Sequence, residues 1–261
     1  MKKVTLRHRY ARVLLLTLLL NVSSFAQAPS DTVLQKQYSD AVSDAKTATT
    51  DEIVSNLVPI VRCNNNLQWE DAADGSSRVL VVTWVNDGLA KAAYADKEGQ
   101  NINLPMDAYP FVTTVPQVKN FCSAPGIAKS ILTLRLEQLL GLPPMNGKTK
   151  FVQLWVNPND LFRPCPDPEV TDTTCGLEFP TGFLTVSANY ANWFVELYSQ
   201  SYGDKGYPWT RLGYTYDWGV TTKPHVGMSE FVIKAGSSVK VCSVSTTEEY
   251  CATTQNQKCK P

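Results

Sequence analysis

Arg78-Val79-Leu80-Val81-Val82-Thr83-Trp84-Val85 is a run of β-branched and aromatic residues, bounded by the turn-forming Asp74-Gly75-Ser76-Ser77 and Asn86-Asp87-Gly88. Such a run reads as a β-strand with a turn on each side. Its apolar residues do not alternate with polar ones, so both faces of the strand are expected to be buried. A strand of this kind calls for a sheet covered by other elements, and the rest of the chain is read outward from it.

Upstream, Leu34, Tyr38, Val42 and Ala45 are spaced four, four and three apart. That is one face of a helix over 31–46. A second, short helix is expected from Thr50-Asp51, with Ile53, Val54 and Leu57 as its apolar face, ending before Pro59. Downstream, residues 88–110 read as a polar connection and Phe111 to Val115 as a strand. Pro125 to Leu140 has Pro near its start, seven aliphatic residues through it and Gly141 just past its end, so a long helix is predicted there. Arg135, Glu137 and Gln138 are read as its solvent face. Phe151 to Val156 and Phe183 to Ser187 read as strands, and Tyr190, Trp193, Phe194 and Leu197 place a helix over 189–200. Further strands are expected at 211–218, 229–233 and 239–244. The tail from Thr246 to Pro261 is polar and is expected to be loosely held except where a disulfide ties it.

Helices and strands therefore do not alternate as a doubly wound parallel sheet requires. The expected class is α+β: one domain, a mixed or antiparallel sheet packed by helices and stabilised by disulfides. Residues 1–26 have the pattern of a signal peptide, with a basic start (Lys2, Lys3, Arg7, Arg9, Arg12), an apolar run from Val13 to Val22 and the small residues Ser24 and Ala26. The ten-residue apolar run is too short to span a bilayer. The expected product is a periplasmic or secreted domain, 27–261, with no membrane insertion. The whole chain balances 24 basic against 24 acidic residues. Losing the five basic residues of the leader leaves a net of about −5, which gives a nucleic-acid partner no support.

All seven cysteines follow the leader, which in an exported chain favours disulfides. Cys165 and Cys175 bracket a Pro-rich acidic loop too polar to hold itself by apolar burial, and they are expected to pair. Cys242 with Cys251 or Cys259 and, by elimination, Cys63 with Cys122 are the other options. Asp160, Asp167, Glu169 and Asp172 in that loop are hard oxygen donors but lack the spacing of an EF-hand. They are read as solvated, with Arg163 placed either to brace the loop or to bind a ligand.

The stretch 202–234, YGDKGYPWTRLGYTYDWGVTTKPHVGMSEFVIK, is where a site is sought. Alternation along a strand at 211–218 would put Leu212, Tyr214, Tyr216 and Trp218 in the core, with Arg211 and Asp217 together on the opposite face. With His225 and Glu230 they would supply a cation, a carboxylate, an imidazole and a second carboxyl for general acid–base work. A same-face ion network with a loop histidine is the competing structural account. Tyr207 and Trp209, flanking Pro208, are expected to be exposed and available to a small-molecule or carbohydrate ligand. A single histidine after the leader rules out multi-histidine metal sites, and GxSxG, GxxxxGK[ST] and GxGxxG are all absent. No metal and no cofactor are implied. The preferred expectation is a binding or interaction module with an aromatic-edged cleft. The alternative is a metal-independent hydrolase or transferase, phosphodiesterase- or ribonuclease-like or a glycosidase, that uses the Arg211, Asp217, His225 and Glu230 cluster.

Overall fold

The computed structural model describes residues 29–71, 75–181 and 186–252. The strand at the centre is β2, Ser77–Asn86, which follows the short β1, Trp69–Asp71, and pairs with it. Val79, Val81 and Val85 of β2 join one apolar cluster, while Leu80, Val82 and Trp84 join a second on the other face. Burial on both sides explains why the run is apolar at consecutive positions.

The sheet grows outward from β2 through β3 (Asn101–Asn103), β4 (Phe111–Thr114), β5 (Lys148–Val156), β6 (Leu161–Phe162), β9 (Phe231–Ile233) and β10 (Ser238–Thr246). Their order is β3-β10-β5-β2-β4-β9-β6, with every pair antiparallel. A separate two-stranded ribbon consists of β7 (Tyr214–Tyr216) and β8 (Val226–Ser229). The class is α+β as expected, with the antiparallel alternative realised.

Of the helices, α1 is Asp31–Ala45, α2 is Asp87–Leu89 running into a π-helical turn at Ala90–Tyr94, α3 is Gln117–Cys122, α4 is Leu132–Leu139, α5 is Ala188–Ser201 and α6 is Thr247–Ala252. Val118 of α3, Leu136 of α4 and Tyr250 of α6 cover the Leu80–Trp84 face. Ala90 and Tyr94 cover the other, together with the loop residues Ile60, Leu67 and Leu104. Tyr190 and Phe194 of α5 pack on Phe162, Val232 and Trp209. Among the described residues no helix is long and apolar enough to cross a membrane.

Cys165 pairs with Cys175 as expected, and beneath that loop Arg163 is fully buried. Arg163 Nε donates to Glu169 O and its NH2 to Asp172 O, so this side chain braces the loop. The second disulfide, Cys122–Cys251, joins α3 to α6 and overturns the expected Cys63–Cys122 and Cys242–Cys251 pairs. Cys63 is exposed and unbridged, and Cys259 lies outside the described residues. Closing 129 residues of chain is worth roughly 4–5 kcal/mol in the chain-entropy account.

Several expected boundaries move. The 125–140 helix begins only at Leu132, after a 3₁₀ turn at Lys129–Ile131, because Gly126 is left-handed at φ 108° and Ala128 is extended at ψ 140°. The turn at Thr50–Glu52 is a single 3₁₀ turn, and Ile53 is already extended. The connection 88–110 contains α2, the π-helical turn and β3. Most of the expected strand at 183–187 lies outside the described residues, and Ser187 caps α5 by accepting from Tyr190 N. The start of the tail is the helix α6, tied down by Cys251.

Candidate functional site

Residues 202–234 form the seat of the first helix. Leu34, Tyr38, Ala41, Val42 and Ala45 of α1 pack on Tyr216 and Trp218. Tyr38 and Trp218 meet edge to face, with ring centroids 6.0 Å apart. Around this apolar centre runs a rim of hydrogen bonds from aromatic tips. Tyr38 OH donates to Gly206 O at 3.0 Å, Tyr214 OH to Glu52 O at 2.8 Å and Tyr216 OH to Asp44 Oδ2 at 2.8 Å. Lys223 pairs with the other oxygen of Asp44 at 2.5 Å. Burial opposes ionisation of Asp44, but the hydrogen bonds from Lys223 and Tyr216 prevail and hold its carboxyl below the usual range.

Of the four residues read as a possible catalytic cluster, Arg211, Asp217 and His225 are each engaged elsewhere. The expected strand at 211–218 shrinks to β7 because Arg211 (φ 59°) and Gly213 (φ 79°) take left-handed conformations, so alternation does not carry Arg211 onto the face of Asp217. Arg211 NH2 donates to Lys46 O at 2.9 Å, meeting an unpaired carbonyl at the C-terminal end of α1, and its guanidinium lies over Tyr198 and Tyr202. Asp217 is buried in a pair with Arg135 of α4 at 3.1 Å and also accepts from Gly219 N. His225 stacks on Tyr216, centroids 4.6 Å apart, and its Nδ1 is buried without a partner. Glu230 is the residue at which the chain leaves β8 for β9. Burial pushes its carboxyl up to about 8, and no hydrogen bond reaches that carboxyl among the described residues. No ion pair or side-chain hydrogen bond joins any two of these four residues. The link between them is along the backbone, where Asp217 N donates to His225 O at 2.9 Å.

The expected aromatic pair divides. Tyr207 is half exposed, whereas Trp209 is buried, with its Nε1–H on Pro164 O and its ring against Phe194. Trp209 follows the compact turn 203–208 inward and packs under α5, which corrects the expectation that it is exposed. The cavity beside His225, Tyr216 and Tyr214 holds about 10 Å³, room for one water at most.

A larger concavity lies at the far end of the sheet: a groove of about 500 Å³. Thr133 and Glu137, one turn apart on α4, form one wall. Lys148, Thr149 and Lys150 enter β5 along the floor, with Met145 at the rim, and Asp87 and Thr246–Glu248 complete the lining. Lys148 Nζ donates to Trp84 O at 2.9 Å, and burial pulls its ammonium below the usual range. Burial pushes Glu137 up, against the backbone amides of Asn146 and Met145 that favour its ionised form. Neither is in an ion pair among the described residues. The groove thus presents an acid and a base, both shifted by burial and neither neutralised by a neighbour, which is a feature of functional sites.

Periodicity gave Arg135 and Glu137 to solvent, whereas the structure buries Glu137 and pairs Arg135 with Asp217. One signal was available for the groove: Lys148 and Lys150 stand two apart at the start of a strand, just after the turn Pro143-Pro144-Met145-Asn146-Gly147. Compared with known protein families, with curated proteins and with solved structures, the chain matches none.

Proposed function

We propose that this chain is an exported binding module that takes a small polar ligand in the groove between α4 and the end of the sheet. The observation that carries the reading is the pairing of size with chemistry. About 500 Å³ lies within the range of ligand pockets, and the lining offers ammonium, carboxyl and hydroxyl groups that converge from four separate segments. Export is supported by the basic, apolar and small-residue order of the first 26 residues, and the disulfides Cys122–Cys251 and Cys165–Cys175 suit an oxidising compartment. The cavity beside His225 is too small to be the ligand site, so the seat of α1 acts as a support.

The reading is tested by amide chemical-shift mapping of the leader-free chain against a panel of small polar solutes covering anions, cations, zwitterions and sugars. Saturable shifts confined to residues 145–150, 246–248 and the Thr133–Glu137 turn are expected from at least one class. Shifts confined to the Tyr207 surface, or none from any class, would overturn it.

A further inference from the structure

We infer that the ligand class of this groove is a short zwitterionic peptide, held by its carboxylate at Lys148 and Lys150 and by its ammonium at Glu137 and Glu248. This rests on the groove being a ligand site, as proposed above. Lys148 spends one N–H on Trp84 O, which leaves two donors, and no carboxylate among the described residues neutralises it. Lys150 reaches Asp87 only at 3.8 Å. Glu137 is held by backbone amides of the turn at 145–146 and has no ion-pair partner among the described residues.

A ligand of one sign meets both attraction and repulsion in such a lining, because an anion faces the carboxyls and a cation faces the ammoniums. A molecule carrying both signs at a separation can place each charge opposite its complement and supply the partner that burial has withheld. The volume exceeds what a single amino acid fills and suits two or three residues. Met145, 61% exposed at the rim, adds an apolar contact for an aliphatic side chain.

The experiment titrates the leader-free chain with Gly-Leu-Gly, its N-acetyl form and its C-terminal amide, reading amide shifts at 145–150 and 246–248. The free peptide is expected to bind there, and blocking either end to weaken it about tenfold or more, the usual weight of a charge-assisted hydrogen bond. Lys148→Met is expected to weaken the free peptide by a similar factor and leave the amide's weaker binding unchanged. Glu137→Gln should weaken the free peptide and leave the N-acetyl form unchanged. Glu137 also braces the 143–147 turn, so Glu248→Gln serves as the second variant at that end. Blocked peptides that bind the groove as well as the free one, or a groove that shifts only with solutes of another class, would overturn the zwitterion assignment and leave the groove standing. Silence of these amides toward every solute class would remove both.

Discussion

Tyr214, Tyr216 and Trp218 in the seat of α1 are nearly as buried as Val81, Val152 and Leu154 in the central sheet, yet the two regions close in different ways. In the sheet, the ladder between β2 and β5 runs from Val79 opposite Val156 to Asn86 opposite Lys148, so the backbone satisfies its own polar groups and side chains need only be apolar. The ribbon behind the seat has just three residues in β7 and four in β8. There the polar tips of aromatic side chains finish the work, as with Trp218 Nε1 donating to Leu142 O at 3.0 Å. A ring with a polar tip suits an apolar surface that stops at water. The seat should therefore open locally while the sheet opens only with the whole molecule.

The largest effect expected on this contrast comes from Phe231→Ala in β9. Phe231 is fully buried in the sheet's main cluster, so the change should cost about 3–5 kcal/mol in urea unfolding, with every spectroscopic probe shifting together. A loss under about 1 kcal/mol would show that the sheet is not the cooperative unit.

Glu230 tests the seam, since it joins β8 of the ribbon to β9 of the sheet. Its folded-state carboxyl is raised from 4.5 to about 8, so the folded chain holds a proton that the unfolded chain has lost. Stability attributable to this group is greatest below about pH 4.5 and falls as pH rises toward 8, by up to about 1 kcal/mol per pH unit. Glu230→Gln should flatten that fall. An unchanged slope in thermal unfolding between pH 5 and 8 would mean that the carboxyl is hydrated in the folded chain.

Leu34→Ala removes an apolar side chain that α1 buries in the seat, at an expected cost near 2 kcal/mol. Hydrogen exchange should quicken over 31–45 and leave β5 protected. Equal loss in both regions would merge them into one cooperative unit.

Asp44→Asn is the smallest change, under about 1 kcal/mol, because its ion pair with Lys223 is partly exposed and screened by salt. The carboxyl lies below its ordinary value, so its contribution is present above the unfolded pKa and fades as pH falls through the folded one. The variant should lose less stability on acidification than the parent chain. Identical acid profiles would show that the rim does not hold α1.

Much of the fold was legible where the signal is local. The run at 79–85, the four-residue spacing in α1, the aromatic face of α5 and the Cys165–Cys175 loop each follow from neighbours within about a dozen residues. The strand at 211–218 was misread because two left-handed residues, one of them not glycine, interrupt a pattern that looks continuous in type. Gly213 is needed there: a Cβ would stand 2.6 Å from Arg163 Cδ, a packing fact that no local pattern carries.

The candidate site was legible only as a list of residue types. Chemistry-bearing side chains cluster in 202–234, but proximity in sequence did not make them partners. Asp217 answers to Arg135, 82 residues away, Arg211 to Lys46, and Tyr216 to Asp44. The groove draws on four segments between Asp87 and Glu248. The amino-acid sequence by itself determined the central strand at 77–86, the helices α1 and α5 and the local disulfide loop, since these depend on periodicity and local sterics. Only the tertiary structure decided which charges are neutralised and which are left facing a cavity, because pairing depends on distance in space and burial.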